Sequence, residues 1–508
     1  MTSSGRMSSA VVVSRGASYL TIQTITTTVA QAVSFAILTR IITPTDVGIL
    51  AIIQLITAIS LSLNGAALQQ ATMKFVGEYH GTDESLAAGV FYQTLRVSLV
   101  LSVPIAGFIF FGSGLLAHTL LGPTGQPELF RILSVDVLVN AGMLPVANGA
   151  VLGAKSFKAS AAIGIAGGIF RQCLIILLIL FLKNFIGLVY AWVLSDFALL
   201  VGYGLMAVRL LGLTKRFFPL GKLVSFSWPL TIGNLVGLAY TSFDKAILIA
   251  FVPLASLGIY NAVLFAYGAP LTIGASFSNA LLPVYSSISN LGLQRCRRAT
   301  WRSSRYVSLV MVPLAFGLFA TAKPALTVFV GSTYVEGAVP LMVLSLSLAL
   351  TSLNIALGPM LTALAETRAI MWITISSLGL ALASAYVLLP PMGIVGAAVA
   401  RGVAAFASLG LTIYALKRKG CMSVDGEMVW KSSVASAGMA AALIVIQILI
   451  YSTILLPVYV LVGIAVYLIL LRTLKAVNTH DIQLVERYLG PRLTLLTRLL
   501  SAILLTQT

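Results

Sequence analysis

Charge is what this chain has least of. Only 9% of its 508 residues are Asp, Glu, Lys or Arg, against roughly 25% in an ordinary soluble domain. No charged side chain occurs between residues 246 and 294, and none between 432 and 471. A soluble fold cannot hide 59% hydrophobic residues gathered in long runs rather than periodic stripes. One membrane span uses only about 20 residues, so each uncharged stretch must cross, turn and return. Pro253 and Pro457 are the turn points, because proline cannot continue the helical hydrogen-bond ladder. Cysteine and histidine are also scarce, three of each. Cys173 falls inside an apolar run, Cys296 and Cys421 fall in loops, and His80, His118 and His480 are scattered. That pattern excludes a disulfide framework and a clustered metal site. No G-x-x-x-x-G-K-[ST] phosphate loop is present, and no loop is long enough to hold a nucleotide-binding domain. Uphill transport would therefore have to draw on an ion gradient, of protons or sodium, or on a partner. Nothing calls for a cofactor, and no nucleic-acid partner is expected.

What is present is an all-α polytopic membrane protein. Apolar runs predict spans near 17–39, 48–66, 86–113, 129–153, 159–182 and 185–208, then 224–249, 256–285, 304–330, 338–363, 370–390 and 392–416, and finally 432–452 and 455–472. The total is about fourteen. Met1 to Ala17 is polar and lacks an apolar core ahead of a small-residue cleavage site, so the first span is expected to be an uncleaved anchor. The formal charge of +18 sits in short loops, not on one face. Alternate loops carry Lys155 and Lys158; Lys215, Arg216 and Lys222; Arg295, Arg297, Arg298 and Arg302; and Lys417, Arg418 and Lys419. The opposite loops hold only Arg40, Arg131, Lys183, Lys245 and Lys323. The positive-inside rule then puts both termini in the cytoplasm, and the cell membrane is the expected location.

The chain repeats itself. RVSLVLSVPIAGFIFFGSGLLAHTLLG, from Arg96 to Gly122, recurs as RYVSLVMVPLAFGLFATAKPALTVFVG, from Arg305 to Gly331. Thr43 to Ile49 is matched by Pro253 to Ile259, and Ile186 to Ala191 by Met392 to Ala397, so the three displacements are 209, 210 and 206 residues. Arg, Pro and Gly align along with the aliphatics, which chance likeness between apolar stretches does not explain. With six spans per copy, both copies enter from the same side. The halves are then related by an axis along the membrane normal and share a cavity, as alternating access requires. The organisation expected is a cytoplasmic N-terminus (1–16), a six-helix lobe (17–211), a cytoplasmic linker (212–223), a second six-helix lobe (224–416), a cytoplasmic loop (417–431), a terminal helix pair (432–472) and a tail (473–508) lying on the cytoplasmic leaflet.

SFDKAILIAFVPLASLGIYNAV, from Ser242 to Val263, resembles the seventh-to-eighth helix signature of polysaccharide flippases, an Asp followed by a basic residue and then Gly-x-Tyr. LTRIITPTDVGI (Leu38 to Ile49), MKFVGEY (Met73 to Tyr79) and GIVGAAVA (Gly393 to Ala400) are similar to the same family. This is the Wzx-like oligosaccharide flippase branch of the multidrug/oligosaccharidyl-lipid/polysaccharide (MOP) exporter superfamily, and the likeness runs along nearly the whole chain. It implies a MATE- or MurJ-like fold, a monomer without catalytic activity, and translocation of a lipid-linked oligosaccharide or polysaccharide precursor. The cargo would be an isoprenoid phosphate or diphosphate bearing a glycan.

Arg96, Asp136, Arg171, Asp196 and Arg401 fall within the predicted spans, where each ionisable residue costs about 2.5–3.5 kcal/mol on insertion scales. They are candidates for gating or ion coupling. Asp196 and Arg401 occupy nearly equivalent positions in the two copies, which suggests that they pair, whereas Asp136 and Arg171 are expected to be neutralised within their own lobe. Arg96 and Arg305 can instead snorkel to an interface. A lipid phosphate needs a cationic cavity wall. In the family the first, second, seventh and eighth helices line the cavity, which by position implies Arg40, Lys74 and Lys245, with Asp244 beside Lys245 as its neutralising partner. The largely polar segment from Met73 to Glu84 reads as a cytoplasmic surface helix or loop.

A cation-coupled drug antiporter of the same superfamily would place a carboxylate on the first helix, yet residues 17–39 hold none, and Gln23 and Gln31 are their strongest polar groups. A glycan polymerase or glycosyltransferase needs poised outer carboxylates; Asp46, Glu128 and Glu336 are isolated. A scaffold would gain nothing from buried charges in register.

Overall fold

The computed structural model describes residues 3–476 apart from 124 and 183, with side chains from residue 18 onward. The tail from 477, with His480, and Lys183 lie outside the described residues. Thirteen helices are long and apolar enough to cross a membrane. They are α1 (Ser3–Leu38), α2 (Pro44–Tyr79), α3 (Glu84–Phe111), α4 (Pro127–Gly153), α5 (Phe157–Leu182), α6 (Ile186–Leu211), α7 (Leu220–Phe251), α8 (Leu254–Ile288), α9 (Leu293–Ala320), α10 (Ser332–Thr351, followed by Leu353–Ala363), α11 (Thr367–Arg418), α12 (Gly426–Leu449) and α13 (Thr453–Thr473).

Helix α11 has 52 residues and one non-helical position, Gly393, at φ 53° and ψ −128°. Pro390 and Pro391 precede it, removing two backbone donors just where glycine alone adopts a positive φ freely. Each arm, 367–392 and 394–418, is long enough to cross by itself, so thirteen helices make fourteen passes. The outward side chains are apolar: Phe111 is 88% exposed and Phe181 83%. Such faces are ruinous in water and required in hydrocarbon. Within each helix the backbone satisfies its own polar groups, which is why helices span bilayers.

Local chemistry sets the helix ends. Thr43 caps α2 with a reciprocal box: Asp46 N–H donates to Thr43 Oγ1 at 3.3 Å while Asp46 Oδ2 accepts the Thr43 N–H at 3.0 Å. Pro44 follows at the first helical position. The isolated outer carboxylate Asp46 is therefore a cap. Asp83 caps α3 through the Leu86 N–H, and Asp425 caps α12 through the Met428 N–H.

Two boundaries differ from expectation. Helix α2 does not stop where its apolar run stops; a π-helical segment, Leu61–Gly65, carries it on through Ala66–Tyr79. Met73 to Tyr79 is thus helical and continuous with the spanning part of α2, and Lys74 lies inside that helix. Helix α9 likewise begins at Leu293 and runs through the basic stretch, ending at Ala320. Both helices exceed the hydrocarbon thickness of about 30 Å, and their charged ends reach the headgroup region.

The chain divides into two compact units, Met1–Ile249 and Ala250–Thr508. In the first, the linker between α6 and α7 is held on the ends of α2 and α3. Arg216 Nη1 donates to Asp83 Oδ2 at 2.7 Å and to Ser85 Oγ at 3.0 Å, and Phe218 packs 5.0 Å from Phe75. Those contacts bind the start of α7 to this unit. In the second unit, Arg305 Nη1 donates to Asp425 Oδ2 at 2.9 Å, and Tyr467 and Ser432 join α13, α12 and α9 through buried hydroxyls. Arg305 is consequently a packed ion-pair residue and not a snorkelling one.

Candidate functional site

Helix α1 carries Gln23, Thr27, Gln31 and Ser34, a stripe at i, i+4, i+8 and i+11 that falls on one helical face. On α5, Gly164 and Gly168 stand four apart, and this lets α1 come close. A Cβ on Gly164 would overlap the Gln23 amide, and one on Gly168 would come within 2.6 Å of Thr27 Cγ2. The stripe forms one wall of a cavity of about 290 Å³ inside the first unit. Gln54 of α2, Arg171 and Gln172 of α5, and Trp192 and Tyr203 of α6 complete the polar and aromatic lining. Tyr203 donates its hydroxyl to the Ser160 carbonyl at 3.1 Å, fixing the α5–α6 wall.

Arg171 joins this cavity to a buried charge cluster. Its guanidinium pairs with Asp196 through Nη2 and donates from Nε to Ser195 Oγ at 3.0 Å. The second Asp196 oxygen accepts from Asn140 Nδ2 at 2.6 Å. Asp136 stands near enough to interact electrostatically with Arg171. It is fully buried, and neither of its oxygens has a hydrogen-bond partner. Asn140 lies in a second π-helical segment, Val137–Met143, that begins directly after Asp136. One guanidinium therefore faces two carboxylates in the membrane interior, positioned by an irregular helix of the kind that often marks functional sites. The first π segment packs against it: Asn64 Nδ2 donates to the Ser98 carbonyl at 3.0 Å, and Ser98 Oγ donates to the Gly142 carbonyl at 2.7 Å.

Of the sequence candidates, Asp136, Arg171 and Asp196 are brought together. Asp196 uses both oxygens inside its own unit, on Arg171 and Asn140. Arg401 is partly exposed on the second arm of α11. Lys74 sits over the rings of Phe226 at 4.2 Å and Phe75 at 4.8 Å, and Arg96 over Phe217 at 4.9 Å. Arg40 precedes α2 while Lys74 lies near its other end, about 45 Å along the axis at 1.5 Å per residue. These two cations flank opposite ends of one helix and cannot grip one phosphate together. Asp244 is fully buried near the end of α7, its Oδ1 accepting the Lys245 backbone N–H at 2.9 Å. The candidates that sequence reasoning passed over are Asn140, Gln54, Gln172 and Trp192. The α1 stripe was the available signal, since Thr27 lies between the two glutamines on the same face.

Among the described residues no group of three or more His, Cys, Asp or Glu side chains could hold a metal ion.

Residues 37–340 match the family described as polysaccharide biosynthesis protein. Among solved structures the chain is similar to lipid II flippase MurJ in an inward closed conformation, with TM-score 0.70 and 14% identity over 90% of this chain and 97% of that one. It is similar to an inward-facing multidrug resistance MATE family transporter of the MOP superfamily, with TM-score 0.63 and 16% identity over 78% of this chain and 94% of the other. A MOP superfamily transporter from Pyrococcus furiosus gives TM-score 0.53 and 16% identity over 79% and 92%. At these identities the likeness is one of fold. No curated protein sequence matches.

Proposed function

We propose that this chain, which belongs to the polysaccharide biosynthesis protein family, translocates a lipid-linked oligosaccharide or polysaccharide precursor across the membrane by alternating access. The observation that carries this reading is the lining of the first-unit cavity: four glutamine amides, a threonine, a serine and one guanidinium, with Trp192 beside them. Carboxamides both donate and accept, as a hydroxyl-rich glycan requires. An indole face suits the apolar side of a sugar ring, and a guanidinium pairs with phosphate through parallel N–H bonds. Among the described residues no carboxylate lines the cavity, and Asp196 is taken up by Arg171 and Asn140; that disfavours an organic cation as cargo and with it a drug antiporter. Asp196 and Asp136 share one guanidinium, leaving a surplus negative charge that a proton or sodium ion would neutralise, so the cluster is our candidate for coupling to an ion gradient. Arg40, Lys74, Lys245 and Asp244 remain candidate contacts for cargo at the helix ends. The protein acts as a monomer in the cytoplasmic membrane with both termini inside.

The test is reconstitution into liposomes with a fluorescent lipid-linked oligosaccharide, scoring movement between leaflets with and without a proton or sodium gradient. Gln54→Leu and Arg171→Gln should each slow translocation at least tenfold while leaving insertion intact. Unchanged rates in both variants would remove the cavity from the mechanism, and no movement by the unaltered protein under any gradient would end the flippase reading.

A further inference from the structure

Helix α11 doubles back at Gly393, and both of its arms line a groove of about 500 Å³ in the second unit. Each arm contributes residues at i, i+3, i+4 and i+7, starting from Ala369 on the first and Leu411 on the second. The groove is graded along its length. At one end the Glu366–Lys419 ion pair closes it and Arg418 stands on its rim, exposed, with no hydrogen bond or ion pair among the described residues. In the middle stand Trp372 and Tyr414, 62% and 65% exposed. Towards the other end stand Ile373 and Leu411, aliphatic walls with the single Ser376 hydroxyl between the arms' lining residues.

That order, cation then amphipathic aromatics then aliphatics, is the order of phosphate, glycerol and acyl chain in a phospholipid. Exposed Trp and Tyr at helix ends occupy the headgroup level of a bilayer. The basic end belongs to the loop that carries Lys417, Arg418 and Lys419, on the side that positive-inside asymmetry assigns to the leaflet rich in anionic lipid. We propose that this groove binds the phosphodiester headgroup of an anionic phospholipid from that leaflet. Arg418 meets the phosphate, Trp372 and Tyr414 flank the glycerol, and the first methylenes run towards Leu411. The site is independent of the cargo reading and holds whether or not the chain moves glycans.

The groove has a plain competitor: basic side chains at a helix C-terminus complement its dipole without any ligand. The experiment is lipid retention by the purified full-length chain, measured by native mass spectrometry after exchange into detergent with phosphatidylglycerol, phosphatidylcholine or inorganic phosphate. The unaltered protein should retain phosphatidylglycerol in preference to phosphatidylcholine. Arg418→Gln should lower phosphatidylglycerol retention about fivefold, the weight of one cation near an anionic surface. Trp372→Leu should lower retention of both lipids while keeping the preference. Arg295→Gln, an exposed cation elsewhere in the same unit, should change nothing. If Arg418→Gln does not stay monodisperse, Ser376→Leu narrows the groove with its charges intact and should cut retention likewise. Equal retention by Arg418→Gln, or an equal loss in Arg295→Gln, would overturn the proposal. So would inorganic phosphate displacing the lipid as effectively as phosphatidylglycerol itself, which would mark a free-anion site.

Discussion

Replacing Asp196 by leucine is the sharpest perturbation of the buried cluster. It removes the Arg171 ion pair and the 2.6 Å bond from Asn140 together. Stripping one partner from a buried pair costs about 3–5 kcal/mol because the other charge is left uncompensated. Asp136 remains close to Arg171 and takes up part of that charge, which lowers the expected loss to about 2–3 kcal/mol. Asp196→Asn keeps one acceptor oxygen for Arg171 and turns an amide donor towards Asn140, whose own side chain can rotate to accept it, so it should lose only about 1 kcal/mol, the scale of a single membrane hydrogen bond. The informative variant is the double one. Arg171→Leu with Asp196→Leu, both made in an Asp136→Asn background so that no buried carboxylate is left without its cation, removes every charge of the cluster, and replacing a buried pair by apolar groups is often neutral, so it should be more stable than Asp196→Leu in the same background. The assay is unfolding in mixed dodecylmaltoside–SDS micelles, followed by circular dichroism, in a double-mutant cycle. Glycolipid translocation, measured in parallel, should be lost in the double variant although stability returns. Single-variant losses that simply add in the double would refute the reasoning, since they would mean that Arg171 and Asp196 are not coupled.

Asp83 provides a pH test outside the membrane. The Ser85 hydroxyl, then the Leu86 N–H and Arg216, hold its carboxyl below the ordinary value of 3.8, so its contribution is present above that value and lost as pH falls below it. A fluorophore on Leu213→Cys, in a Cys173→Ser background, should therefore gain mobility as pH drops below 3.8, whereas Asp83→Asn should show the mobile signal at every pH. Gly393→Ala forces a side chain into a positive φ and should destabilise the chain by about 1–2 kcal/mol, read as a lower unfolding midpoint in the same micelles. Gly379→Ala, where an added Cβ meets no atom within 4 Å, serves as its control. Phe226→Leu should cost about 0.5–1 kcal/mol in the unaltered protein and much less beside Lys74→Leu if the cation–ring contact is real; equal losses in both backgrounds would show that packing alone matters.

Hydrophobic run length alone determined the class of this protein and the number of passes, because a bilayer demands about 20 apolar residues per crossing whatever the neighbours do. The capping box at Thr43 and the double proline before Gly393 were equally local, and they sit where helices start and bend. Tertiary structure decided the rest. That Asp196 answers to Arg171 depends on α5 and α6 packing side by side, and register between two copies carries no information about that. The continuation of α2 through Asn64 and Gly65 came from a π segment held by Ser98 on another helix, a long-range cause invisible to any window of sequence. The gathering of Gln23, Gln54, Gln172 and Arg171 from three helices into one cavity had the same origin: each amide reads as an ordinary polar residue until packing turns it inward. Arg40 and Lys74 show the converse, since the apolar run between them in the sequence already puts them at opposite ends of one spanning helix.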